Sequence, residues 1–153
     1  MTATILESSA LSELNNKPFI DQELWDRLAN RISKGEDIGI LLAQRILNEA
    51  LGFLRLCALE PDRHYSPSPL VDIGWHEFIL YTHEYAEFCE KLAGRFIHHA
   101  PNDERTSYSS TIRTVSAMKA RGIAVDEMLW VDEADCAGTS CTHGDCTSGG
   151  PPK

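Results

Sequence analysis

The segment from Val71 to Cys89 constrains the fold of this chain more than any other, because it carries two different stripes at helical spacing. Steps of three and four residues separate the members of the first stripe, which is the pattern of one packing face of a helix. That stripe consists of Val71, Gly74, Phe78, Tyr81, Tyr85, Phe88 and Leu92. The second stripe lies about 180° away at roughly 100° per residue and consists of Asp72, His76, Ile79 and His83. Both stripes need partners, so the pattern predicts a central helix that carries a candidate site.

Capping residues place two helices before this segment. Asp21 is a good N-cap for a first helix that ends near Gly35. Asp37 is in position to cap a second helix that runs to about Ala58. Apolar residues cover most of the circumference of this second helix, so we expect it to be buried.

The central helix itself begins at a clear signal. Ser68 can cap it, and Pro69 stands at its first position, where a missing N–H costs nothing. We expect this third helix to continue to about Leu92 and to stop at Gly94.

A fourth helix is predicted from about Tyr108 to Arg121, with a short turn at 126–130 after it. Its apolar residues at helical spacing are Ile112, Val115 and Met118. The chain has no alternating runs rich in β-branched residues and no hairpin dipeptide between apolar segments. The sequence therefore predicts an all-α fold, a small bundle of about four helices.

The composition sets the broad class. The chain has 153 residues, of which 42% are apolar, and this is enough for one domain with a core. Its formal net charge is −9, so nucleic acids and anionic membranes would repel it, and we expect neither as a partner. No apolar run is long enough to span a bilayer, and residues 1–8 lack the features of a signal peptide. These observations predict a cytoplasmic protein.

Three regions follow from the changes in composition. Residues 1–18 are expected to be a flexible N-terminal lead-in, residues 19–131 the helical domain, and residues 132–153 a disordered tail rich in Cys, Gly and Ser. The tail contains no large apolar residue. Two further cysteines, Cys57 and Cys89, lie within apolar helical patterns, where burial in the core is the usual role.

The polar stripe of the third helix is a candidate metal site. Asp72 and His76 are about 6 Å apart along a helix axis, so they can reach one ion or each other. His83 lies about 10.5 Å beyond His76, which strains a shared site. A ligand from the connector after the helix, His98 or His99, is a better third member. Zinc accepts mixtures of imidazole and carboxylate.

Structural roles explain the same residues equally well. Asp72 can orient His76 or face the positive end of the helix dipole. His83 can be a buried polar group with a hydrogen-bond partner, and His98 and His99 can be surface residues on the connector. The sequence leaves both interpretations open.

The tail carries a second set of possible ligands with the spacing Cys-x4-Cys-x-His-x2-Cys. These residues are Cys136, Cys141, His143 and Cys146. Three thiolates and one imidazole suffice for a tetrahedral zinc site, although the spacing matches no common zinc finger. A folded body followed by a short tail of Cys, Thr, Ser and Gly is also the layout of a precursor of a ribosomally made, modified peptide. A maturation enzyme would then be the partner.

One short pattern resembles a known family. Val71-Asp72 followed by Trp75-His76, then Tyr85, Phe88-Cys89, Gly94 to His99 and Pro101, is similar to the glycine-rich domain-containing protein-like family. The resemblance covers about residues 20 to 130 and implies a helical domain in a small bacterial-type protein, without an established reaction. The eukaryotic members of that family often carry a second histidine two residues after the Trp-His pair, where this chain has Phe78.

A non-enzymatic function is the prediction that these features favour. Cys89 lies on an apolar face, where a thiolate is disfavoured, and the chain has neither a Gly-x-Ser-x-Gly turn nor a glycine-rich phosphate loop. We therefore expect no nucleotide cofactor. The prediction is a module that binds a divalent metal, zinc above all, or a protein partner. The modified-peptide precursor and a metal-dependent enzyme are the alternatives.

Overall fold

The computed structural model describes residues 14–100 and 108–131, and these residues form a helical bundle. Five α-helices follow one another in the described part of the chain, which contains no strand: α1 Gln22–Glu36, α2 Ile40–Leu59, α3 Pro69–Leu80, α4 Thr82–Ala93 and α5 Tyr108–Ala120. Two short 3₁₀ turns, Lys17–Phe19 and Glu127–Leu129, flank them. The predicted all-α bundle is confirmed. None of the described helices combines the length and apolar character needed to cross a membrane.

Three of the predicted capping residues act as expected. The Asp21 carboxylate accepts the backbone N–H of Leu24 at 2.8 Å, and the Ser68 hydroxyl accepts that of Val71 at 3.3 Å. Gly94 ends α4 with φ of 66°, in the left-handed region that glycine enters without a steric penalty.

Two predicted helix boundaries are wrong. The single third helix is interrupted at Tyr81, whose φ of −86° and ψ of 69° separate α3 from α4. Asp37 is not an N-cap: with φ of 53° it ends α1, and α2 begins three residues later, after Gly39. Asp tolerates the left-handed conformation better than most residues do, because its short polar side chain can form local hydrogen bonds.

The second helix is the centre of the bundle. Every residue of α2 from Ile46 to Leu54 is buried, and the helix packs mainly against α3 and α1. The approach of α3 is close at Gly74, where an added Cβ would stand 3.1 Å from the backbone oxygen of Ile46. This contact fixes the position of α3, the helix that carries Asp72.

Both ends of the described domain are tied to α2 by polar contacts. Asn16, within the predicted lead-in, is buried, and its backbone N–H donates to the Asn48 side chain at 2.8 Å. At the other end, the Trp130 indole N–H donates to the Glu49 carboxylate at 2.8 Å.

The last helix, α5, packs a different face against the core from the one that the sequence predicted. Met118 is buried, but Ile112 is 46% exposed, while Thr111 and Thr114 face the interior. The Thr114 hydroxyl donates to the backbone oxygen of Ser66 at 2.9 Å, which joins α5 to the loop before α3. Polar side chains with such partners can be buried at little cost, and hydrophobic periodicity does not detect them.

Candidate functional site

The polar stripe of α3 meets the connector that follows α4. The His99 Nε2 atom donates to Asp72 Oδ1 at 2.7 Å, and the two side chains are 16% and 43% exposed, respectively. A carboxylate bonded to one ring nitrogen fixes the tautomer of a neutral imidazole and leaves a lone pair on the other nitrogen. His99 is therefore an oriented imidazole at the surface of the bundle.

A chain of buried hydrogen bonds holds the connector against the two helices. The indole N–H of Trp75 donates to the Tyr85 hydroxyl at 2.9 Å, and this hydroxyl donates to the Ile97 carbonyl at 2.6 Å. Burial raises the pKa of Tyr85, so the hydroxyl keeps its proton for this bond. The Trp75 ring also contacts the His99 ring edge-on, with centroids 4.4 Å apart. The Ile97 backbone and the His99 ring, both in the connector, are therefore held near Asp72.

His76 stands beside this pair rather than inside it. The predicted partnership of Asp72 with His76 gives way to one with His99, and His76 itself is exposed. Its ring centroid lies 5.9 Å from that of His99. The structure thus brings Asp72, His76 and His99 into one cluster, which we call the α3 cluster.

The other predicted ligands lie elsewhere. His83 is exposed on α4, and His98 is exposed beside Phe96, with ring centroids 4.8 Å apart. The four predicted ligands of the tail, Cys136, Cys141, His143 and Cys146, lie outside the described residues. Across residues 14–100 and 108–131, no three His, Cys, Asp or Glu side chains converge closely enough to hold a metal ion. The α3 cluster alone is therefore not a complete metal site.

Both cysteines of the described helices are at least partly shielded from solvent. Cys89 is fully buried, and Cys57 is half-buried. Loss of solvent raises the pKa of the Cys57 thiol to about 12, even with Arg95 nearby. A thiol in that state is a poor nucleophile and a poor metal ligand.

A cleft near the ends of the domain, with both polar and apolar lining residues, was not predicted. It has a volume of about 540 Å³ and is lined by Arg45, Asn48, Glu49 and Asp126 together with residues at both ends of the domain. Arg45 Nε donates to Asp126 at 2.7 Å, and Glu49 is only 1% exposed. Burial is the main cause that raises the pKa of the Glu49 carboxyl. The feature of the sequence that could have indicated this cleft is the polar pair Asn48-Glu49, which interrupts the apolar run of α2.

Comparison with known proteins gives the family. The model of the UCP032817-like family matches residues 16–126, which is most of the chain. The chain belongs to this family. The description of the UCP032817-like family names no reaction or ligand. No curated protein and no solved structure matches the chain significantly.

The resemblance to the glycine-rich domain-containing protein-like family is wrong, since the match is to the UCP032817-like family instead. The shared pattern was short, and Trp75, one of its residues, serves packing in this fold. Trp75 is buried between Phe53, with centroids 5.2 Å apart, and the His99 ring.

Proposed function

We propose that this UCP032817-like protein is a non-enzymatic, cytoplasmic module that binds a divalent metal ion, zinc above all, at the α3 cluster. The observation that carries the proposal is the second imidazole, His76, beside an imidazole that a carboxylate already orients. Each residue has a distinct role: His76 and His99 are the metal ligands, and Asp72 is the hydrogen-bond partner that orients His99.

The distance between the His76 and His99 rings is close to the distance expected for two imidazoles that bind the same ion. A zinc–nitrogen bond is about 2.0–2.1 Å, and a ring centroid lies about 1 Å further along the same line. Two imidazoles on one tetrahedral ion thus have centroids about 5 Å apart. The observed 5.9 Å exceeds this by less than 1 Å. Because His76 is exposed, its side chain has room for such a shift.

The contact between Asp72 and His99 matches the usual surroundings of a metal-bound histidine. Such a histidine donates its second N–H to a carboxylate or a carbonyl, and loss of that partner typically lowers metal affinity about 10–100-fold. Binding also needs the neutral form of both imidazoles, because a protonated ring has no lone pair for the ion.

Calorimetric titration with zinc tests the proposal in the full chain carrying Cys136→Ser, Cys141→Ser and Cys146→Ser. These changes remove binding by tail thiols. We expect His76→Ala and His99→Ala each to abolish binding, and Asp72→Asn to weaken it. His83→Ala is the matched control, because it removes an exposed histidine from α4 and should leave the affinity unchanged. Equal affinity in all four variants would refute the proposal.

A further inference from the structure

The cleft at the ends of the domain has the size and the lining of a small-molecule site. Its volume is about 540 Å³, and ligand pockets usually have volumes of about 300–1,000 Å³ with apolar walls and a few converging polar groups. Leu14, Val125 and Met128 supply apolar walls, and Glu49 and Asp126 supply carboxyl groups. The three residues of the α3 cluster do not line this cleft, so it is a separate place on the molecule.

Negative charge is in excess in the lining of the cleft. Among the described residues that line it, the carboxylates are those of Glu49, Asp126 and Glu127, and the cation is Arg45. Arg45 Nε donates to Asp126 at 2.7 Å, and Lys119, which lies outside the lining, donates to Glu127. A cation therefore matches each of these two carboxylates, and Glu49 provides the excess charge.

Glu49 places a buried carboxyl at the wall of the cleft. The residue is 1% exposed, and its carboxylate accepts the Trp130 indole N–H at 2.8 Å. Burial is the main cause that raises the pKa of Glu49, and the charge of Asp126 adds to it. Hydrogen bonds from Trp130, Asn48 and the Asp126 backbone lower the pKa only in part. The charged form of Glu49 is thus incompletely compensated within the domain, and a cation in the cleft would compensate it.

We infer that the cleft binds a small organic cation, in which an ammonium group is attached to an apolar body. Glu49 and Asp126 accept hydrogen bonds from the ammonium group, and the apolar walls contact the body. Charge-assisted hydrogen bonds are about twice as strong as neutral ones, and a site that excludes part of the water strengthens them further. The ligand and the residues both differ from those of the proposed zinc site.

An anionic ligand would meet two obstacles in this cleft. It would have to take Arg45 away from Asp126, which would leave a partly buried carboxylate without its ion pair. It would also face Glu49 and a chain with a net charge of −9. The charge distribution therefore favours a cation.

The Trp130 indole N–H is a local probe of the cleft, because it is bonded to Glu49. We titrate the isotope-labelled full chain with benzylammonium in the presence of a chelator, and follow this N–H signal by NMR. We expect a saturable shift. Benzyl alcohol, which has the same ring without a charge, and benzoate, which is negative, should each bind at least about tenfold more weakly.

Two variants of the cleft test the charge and the space separately. Glu49→Gln keeps an acceptor for Trp130 but has no charge, so it should bind benzylammonium at least about tenfold more weakly. Ala124 lines the cleft and is exposed, so Ala124→Trp fills space there and leaves every charge in place. We expect this variant to lose binding as well. Glu87→Gln removes an exposed carboxylate from α4, and as the matched control it should bind like wild type.

Several results would overturn the inference. They are the absence of a saturable shift with benzylammonium, equal or tighter binding of benzyl alcohol or benzoate, and an unchanged affinity in Glu49→Gln. Unchanged binding in Ala124→Trp would place the amine elsewhere on the chain and would overturn it too. Since the titration contains a chelator and no zinc, none of these results decides whether the α3 cluster binds a metal.

Discussion

At the scale of single residues, the Tyr85 hydroxyl joins α4, which carries it, to α3 and to the connector. It accepts from Trp75 on α3 and donates to Ile97 in the connector. In Tyr85→Phe both partners stay buried but lose their hydrogen bond, so we expect the free energy of unfolding to fall by about 1–3 kcal/mol. Urea denaturation followed by circular dichroism measures this change.

Tyr65→Phe is the matched control for this prediction. It removes the same atom from a hydroxyl that donates to Glu60 near the surface, where water can replace the lost partner. A loss in Tyr85→Phe no larger than in Tyr65→Phe would contradict the role that we assign to the buried hydroxyl.

The buried Glu49 carboxyl leads to a prediction about pH. Its pKa in the folded chain is raised above 4.5, chiefly by burial, so the folded state holds this proton more tightly than the unfolded state does. Stability therefore falls as the pH rises from about 4.5 through the folded pKa. Glu49→Gln keeps an acceptor for the Trp130 indole but cannot ionise. We expect its stability relative to wild type to increase over this pH range, measured by urea denaturation at pH 4 and pH 8.

Glu87→Gln, exposed on α4, is the control for the pH prediction. Its stability relative to wild type should not follow the trend of Glu49→Gln. A flat difference between Glu49→Gln and wild type across the range would mean that burial of the carboxyl carries no penalty.

The site was only partly predictable from single residues. Asp72 and His76 were correctly placed on one helix because their spacing is a local property. The pairing of Asp72 with His99 depends on how the connector folds back, which requires the buried bonds of Tyr85 to Trp75 and Ile97. Contacts of this kind join residues far apart in sequence, and periodicity carries no information about them.

At the scale of helices, α3 packs closely on α2 at Gly74. A Cβ there would lie 3.0 Å from Ala50 Cβ and 3.1 Å from the backbone oxygen of Ile46. Backbone atoms cannot move aside cheaply, so we expect Gly74→Ala to cost about 1–3 kcal/mol of stability despite the better helix propensity of alanine. Thermal and urea denaturation measure the loss.

Gly35→Ala is the opposite case on α1. An added Cβ would meet nothing within 4 Å, and the residue lies in the last turn of the helix. We expect a gain of up to about 1 kcal/mol from helix propensity alone. If both variants changed stability in the same direction, the close approach at Gly74 would not be the cause.

Helix positions were more predictable than helix breaks. Caps at Asp21 and Ser68 and the stop at Gly94 depend on local chemistry, and all three were found. The break at Tyr81 has no capping residue or glycine that would reveal it in the sequence. Val71, Phe78 and Tyr85 are all buried, so the apolar pattern of one helix face continues across the break. The hydrophobic pattern continues through the bend, so the pattern cannot reveal it.

At the scale of the whole molecule, the folded unit extends beyond the family match. The match ends at residue 126, but Leu129 and Trp130 are buried, 3% and 4% exposed, respectively. They also supply the hydrogen-bond partners of Ser68 and Glu49. The segment at 127–130 is therefore part of the core rather than the beginning of the tail.

Two truncations test this boundary. A chain ending at residue 126 loses the Trp130 side chain from the core, a change that typically costs about 3–5 kcal/mol, and leaves the Glu49 carboxylate buried without its indole donor. Since small domains are stable by only about 5–15 kcal/mol, we expect a large drop in the melting temperature. A chain ending at residue 131 keeps these contacts and should melt with the full chain in the presence of a chelator. Equal melting temperatures for the two truncations would place the end of the folded unit at the family boundary.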